Sequence, residues 1–274
     1  MSGTTSEPAT AIRPFAVPTA TEPELEDLRA RIAGTRWPDR EIVPDHSQGV
    51  QLETMRELAR YWADEYDWRR CEEELKELPH YVTEIDGLDI HFVHVRSPHE
   101  NAMPLIVTHG WPGSIIEQLK IIGPLTDSTA YGASASDAFH LVIPSMPGYG
   151  FSAKPREPGW DPSRIARAWS TLMARLGYDR FAAQGGDWGA AITDLMAAEG
   201  APGMLVMHSN MPGAVPTDVA EASGGLPPSG LSPEERRAYD ELQEFFAKGA
   251  GYAIEMGTQP QMLYGLADSP SRPR

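Results

Sequence analysis

The chain has 274 residues, 41% of them apolar, enough to bury a substantial core in one large domain with appendages. Its formal net charge of −16 excludes the basic footprint of a protein that binds nucleic acid or an anionic membrane surface. The single cysteine, Cys71, excludes an intrachain disulfide framework, and eight dispersed histidines give no metal-ligand spacing, so no metal or cofactor is expected.

In chain order, residues 1–13 are small, polar and proline-containing, and read as a disordered tail without a signal-peptide core. No apolar run reaches the roughly 18 residues of a membrane span, so a soluble, cytoplasmic protein is expected. Residues 14–80 read as a helical region. Thr21 and Glu24 form a capping box ahead of Leu25, Leu28 and Ile32 on one face. A second helix carries Leu52, Met55, Ala59 and Trp62, and a third Trp68, Cys71, Leu75 and Leu78. These aromatic stripes are read as packing.

From about residue 81 the period changes. Two short strands flank Asp86-Gly87, a hairpin signal. Leu105, Ile106 and Val107 form an apolar run of the kind found in strands buried on both faces of a parallel sheet. A helix from Ile115 to about Ile122 follows, then the strand-loop stretch "FHLVIPSMPGYGFS". Ile165, Trp169, Leu172 and Leu176 mark a helix, "RFAAQ" a strand, Ala190–Ala198 a helix, and "GMLVMHSN" a fourth buried strand. This alternation over 81–210 predicts an α/β core, mostly parallel, with sites at the carboxyl ends of its strands. Residues 211–259 break the pattern and read as a lid. Its helix starts at Ser232 with Pro233 and Glu235, carries Tyr239, Leu242 and Phe246 on one face, and ends near Gly249.

Three loops converge at the strand ends: "THGWPGS", "PSMPGYGFS" and "QGGDWGAA". In the last, Gly185-Gly186-Asp187-Trp188-Gly189 sets a carboxylate between small residues at a strand-to-helix turn, the geometry of a nucleophile elbow. Small neighbours permit the turn, and the helix that follows aims backbone N–H groups at the same spot. An aspartate is ionised at neutral pH and can displace at sp³ carbon to leave an ester. Cleaving that ester needs a general base and an oxyanion hole. His109-Gly110-Trp111-Pro112 supplies the loop for the latter: the expected donors are the N–H groups of Trp111 and Trp188, since Pro112 has none. His109 is read as ordering the loop rather than as the base.

The stretches "RPFAVPTATEPELEDLRARIAGTRWPD" and "YWADEYDWRRCEEELKELPHY", with "HGWPGSIIEQ", "PSMPGYGFS" and "GGDWGA", resemble the microsomal-type epoxide hydrolases of the soluble microbial branch, over about residues 12–268. The resemblance implies an α/β-hydrolase fold with a helical N-terminal region and a lid. It implies that Asp187 opens a small hydrophobic epoxide to a hydroxyalkyl-enzyme ester, that water then releases a vicinal diol, and that the role is detoxification or aromatic hydrocarbon catabolism. It maps a lid proton donor onto Tyr252. The family order continues with an acid and a histidine after the lid, yet His208 is the last histidine here and lies on a strand. Residues 260–274 therefore read as a truncated return to the core, with C-terminal strands missing, turnover impaired and self-association expected at an uncovered sheet edge. Two alternatives remain at this stage: a haloalkane dehalogenase, against which Trp111 stands where asparagine is usual, and an inactive binding remnant.

Overall fold

The computed structural model describes residues 8–212, 227 and 229–259. The expected return at 260–274 and the lid stretch 213–226 lie outside the described residues. The chain divides into two compact units, Met1–Val17 with Glu72–Ala214, and Pro18–Cys71 with Val215–Arg274.

The first unit is built on a seven-stranded sheet of order β1-β2-β3-β5-β4-β6-β7. Its strands are β1 (Arg13–Pro14), β2 (His80–Ile85), β3 (Leu88–Val95), β4 (Met103–Thr108), β5 (Phe139–Pro144), β6 (Phe181–Gly185) and β7 (Met204–Ser209). β1, β2, β3 and β5 pair antiparallel in turn, whereas β5, β4, β6 and β7 run parallel. β2 and β3 turn on Asp86 and Gly87, with φ of 51° and 78°, so the primed hairpin turn that Asp-Gly favours is present. Part of the stretch expected as a tail over residues 1–13 is joined to the sheet. Ala9 C=O accepts from Glu84 N–H, and Arg13 pairs with Val82.

Three helices belong to the parallel half of the sheet: α4 (Leu119–Thr126), α5 (Pro162–Arg175) and α6 (Trp188–Ala198). The helix expected from Ile115 begins as a 3₁₀ turn, Ile115–Gln118, with Ser114 Oγ accepting from Ile116 N–H. α5 is launched by Asp161, whose carboxylate accepts from Arg164 N–H, and by Pro162 at its first turn. The core joins Trp169, Leu172 and Met173 of α5, and Ile192 and Met196 of α6, to Phe92, Ile106, Val142 and Phe181 of the strands. Alternation then turns Leu105, Val107, Leu141 and Ile143 to the other face, where they are equally buried, and α4 packs along β5. This fully covered centre explains the continuous apolar runs of β4 and β5.

β7 departs from expectation. It is not a buried strand but the sheet edge among the described residues, with Leu205 51% and Val206 56% exposed. A row of unpaired backbone groups beside apolar side chains is a template for association. Val206→Lys is expected to lower the apparent particle mass in light scattering while changing folding stability by less than about 0.5 kcal/mol.

The second unit holds α1 (Glu22–Ala33), α2 (Leu52–Asp64), α7 (Pro233–Glu244) and α8 (Gly251–Thr258), and α3 (Trp68–Lys76) begins at its margin. Thr21 and Glu24 make the capping box, and Leu25 and Ile32 are buried. α7 is capped by the reciprocal pair Ser232 and Glu235 and buries Tyr239. The helical run ends at Gly249, as expected. A π-helical turn, Phe245–Gly249, continues α7 to that point.

Candidate active site

The strand order places β4 between β5 and β6, so the chain reverses its direction of growth across β4. Loops from the carboxyl ends of β4 and β6 therefore meet, with Thr108 opposite Gly185 in the register. Thr108 is fixed from below by the buried Trp169, whose indole N–H donates to its Oγ at 3.1 Å.

Asp187 joins β6 to α6 with φ 52° and ψ −124°. A non-glycine residue held there stores strain of about 1–3 kcal/mol, kept only where the surroundings dictate it. Those surroundings are glycines. A Cβ on Gly185 would strike the Gly189 carbonyl, and one on Gly189 would strike the Thr108 carbonyl. A Cβ on Gly186 would lie 2.5 Å from Asn210 Oδ1. A Cβ on Gly110 would lie 2.5 Å from Asp187 Cβ and 2.7 Å from its Oδ1. The elbow and the loop after β4 thus touch through bare backbone.

That approach lets Trp111 N–H donate to Asp187 Oδ1 at 2.7 Å. Among the described residues Oδ2 accepts no hydrogen bond. Of the two donors expected from sequence, Trp111 is on the carboxylate. Trp188 opens α6, where a first-turn N–H has no intrahelical partner, and makes no hydrogen bond to Asp187; its side chain is 50% exposed. Pro112 follows Trp111 through a cis peptide and is exposed.

His109 is 1% exposed and held at both ring nitrogens. Met146 N–H donates to Nε2 at 3.1 Å, so Nδ1 carries the proton and donates to Gly110 C=O at 3.0 Å. Burial pushes its pKa below the usual histidine range, partly offset by the Gly110 carbonyl. Both nitrogens of this neutral imidazole are thus occupied by loop backbone. Tyr252 lies on α8 of the second unit and is 49% exposed; the site described here consists of first-unit residues alone. His208 is exposed on β7, opposite Gln184.

Two neighbours were not singled out from sequence. Tyr149 lies on the loop after β5, its ring against His109, and burial and then the Asp187 charge raise its pKa above the usual phenol range. Asn210, just past β7, donates its N–H to Gly185 C=O at 3.4 Å and sets its amide beside Gly186. The glycine-tyrosine-glycine run at 148–150 was the available signal for the first. No group of three or more His, Cys, Asp or Glu side chains among the described residues is placed to hold a metal ion.

Residues 12–118 match the family model described as the epoxide hydrolase N terminus, and residues 103–232 match that of the alpha/beta hydrolase fold. A protein of Stigmatella aurantiaca (strain DW4/3-1) is 51% identical over 263 residues, covering 95% of this chain and 58% of that protein. Epoxide hydrolase 1 of Oryctolagus cuniculus is 41% identical over 206 residues, 73% of this chain and 45% of that protein. The crystal structure of juvenile hormone epoxide hydrolase from the silkworm Bombyx mori is similar at a TM-score of 0.83 and 32% identity, over 95% of this chain and 63% of that one. The chain spans about half the length of the curated relatives it matches. The overlap of the two matched regions, from the N-terminal region into the sheet that carries the elbow, leaves one conclusion: the chain belongs to the microsomal-type epoxide hydrolase family.

Proposed function

We propose that these residues carry out the first half of epoxide hydrolysis, with Asp187 as the nucleophile. The observation that carries this reading is the 2.7 Å hydrogen bond from Trp111 N–H to Oδ1 on a strained elbow. It divides the labour between the two carboxylate oxygens. Oδ2, without a hydrogen bond, attacks an epoxide carbon; the carbon–oxygen bond breaks, and the ring oxygen leaves as an alkoxide that takes a proton. Tyr252, by the family resemblance, is that donor. Oδ1 becomes the ester carbonyl oxygen and stays under Trp111 N–H, which is where an oxyanion forms when water adds to the ester. Trp188 N–H, at the start of α6, is the second donor for that step.

Deacylation needs a base. His109 has both nitrogens engaged and does not supply it. The step proposed for the described residues is therefore formation of the hydroxyalkyl ester. A hydrophobic epoxide suits the aromatic residues of the loops, and the family relatives are named for epoxide hydrolysis. Incubation with styrene oxide should add one substrate mass per chain in intact-mass spectrometry. Absence of both adduct and diol would overturn the reading of Asp187 as the nucleophile, and halide release from a chloroalkane would favour dehalogenation instead.

A further inference from the structure

The loop after β5 approaches the Asp187 site from a third side. Ser145 N–H donates to His91 C=O at 2.9 Å, and Ser152 Oγ bridges Ser145 C=O at 2.7 Å and His91 N–H at 2.9 Å. Tyr149 N–H closes a turn on Met146 C=O at 2.9 Å, and Ser152 N–H a second turn on Tyr149 C=O at 3.1 Å. Gly148 and Gly150 flank Tyr149 with φ of 86° and 49°, and a Cβ on Gly150 would lie 2.7 Å from Ser145 Oγ. The eight residues from Ser145 to Ser152 are thus held in one shape, with Tyr149 between the two glycines.

That side chain stands edge-on to His109, with ring centroids 5.7 Å apart at 64°. The same loop sends Met146 N–H to His109 Nε2. His109 is therefore gripped twice by one loop, once through its nitrogen and once through its ring. Its other nitrogen holds Gly110 C=O, in the same peptide group as the Trp111 N–H that binds the carboxylate. Rotation of the imidazole would release both bonds, and the ring contact opposes that rotation. Burial and the nearby Asp187 charge keep the phenol protonated, so the contact persists across the neutral range.

We propose that Tyr149 is a positioning residue of this site: its ring, acting through His109, holds the Gly110–Trp111 peptide against the Asp187 carboxylate. The proposal rests on the reading of Asp187 as the nucleophile. It assigns the effect to the ring and none to the hydroxyl.

The test uses the full chain, with Tyr149→Phe keeping the ring and Tyr149→Leu keeping only apolar volume. Two readouts are taken: the rate of adduct formation across styrene oxide concentrations, and the ring-nitrogen NMR signals of His109. Tyr149→Phe is expected to match the wild type within about twofold, whereas Tyr149→Leu lowers the saturating rate about tenfold with little change in half-saturating concentration. His109 should keep its single Nδ1-protonated form in the Phe variant and lose it in the Leu variant. An unchanged rate in Tyr149→Leu, an unchanged His109 signal there, or an equal loss in Tyr149→Phe would each overturn the proposal. If Tyr149→Leu fails to fold, Tyr149→Met, whose flexible side chain fills the same space, is read in its place. If the wild type forms no adduct, the nucleophile reading fails, and the His109 signals alone decide the brace.

Discussion

Gly189→Ala should be among the most damaging single substitutions in this chain, destabilising it by about 3 kcal/mol or more. The added Cβ has nowhere to go, because it meets the Thr108 carbonyl and comes within 2.9 Å of the His109 oxygen. Both obstacles are backbone at the end of β4, so no rotamer relieves the clash. Either α6 lifts from the sheet or β4 shifts, and both routes disturb the covered core around Ile106 and Ile192. A thermal melt should move down by roughly 6–12 °C for a domain of this size. Gly110→Ala couples stability to chemistry. Its Cβ would lie 2.5 Å from Asp187 Cβ, which no rotamer moves, so the melt should also fall while adduct formation falls by about a hundredfold through the lost Trp111 bond. Gly257→Ala, on α8 with open space around it, should be neutral or stabilising by up to about 1 kcal/mol. Equal melting temperatures for the three variants would contradict this account of the elbow.

Acid is expected to unfold the protein from about pH 6.5 downward, earlier than carboxylate titration alone would. The cause is a thread of neutral histidines in the first unit. His80 Nε2–H donates to Leu75 C=O at 2.6 Å, which leaves its Nδ1 to accept from His91 Nε2–H at 2.9 Å. His91 Nδ1 then accepts from Ser145 Oγ–H at 2.9 Å. Every donor direction follows from the Leu75 carbonyl, and one added proton breaks the thread. Burial, and next the neighbouring His80, push the His91 pKa down to about 3. Burial, followed by Arg96 and His140, takes His94 to about 4. His80, His109 and His140 are lowered as well, each chiefly by burial.

A depressed histidine pKa means that below about pH 6.5 the unfolded chain binds protons that the folded chain refuses. Stability is therefore whole above that pH and is lost as pH falls toward the folded values, by up to about 1.4 kcal/mol per pH unit for each such histidine. Urea titrations at pH 7.5, 6.0 and 5.0 should show a steady fall in midpoint. His91→Gln, which removes the most shifted group, should be less stable at pH 7.5 but shallower in its pH dependence. A flat midpoint between pH 7.5 and 5.0 would contradict neutral burial.

Much of the site was legible because it is local. The elbow, the hairpin at Asp86-Gly87 and the caps at Thr21 and Ser232 each lie within about five residues, and steric rules at that range have few solutions. The Trp111–Asp187 bond spans 76 residues, yet its donor was legible because an open parallel sheet brings strand ends together. What escaped were features set by neighbours along the sheet. "GMLVMHSN" has the apolar content of a central strand, and composition does not reveal which strand forms the edge. Tyr149 escaped for a similar reason, since its importance comes from the His109 ring forty residues earlier in the chain. The π-helical turn at Phe245–Gly249 carries no local signal beyond a glycine that also suits a helix end.

The central claim is that Asp187 Oδ2 forms a covalent bond to an epoxide carbon. Peptide mapping by tandem mass spectrometry after styrene oxide treatment tests it most directly. The expected result is one hydroxyalkyl adduct on the peptide containing Asp187, absent from Asp187→Asn and absent from chain unfolded before treatment. An adduct at another residue, or an equal adduct in Asp187→Asn, would contradict it.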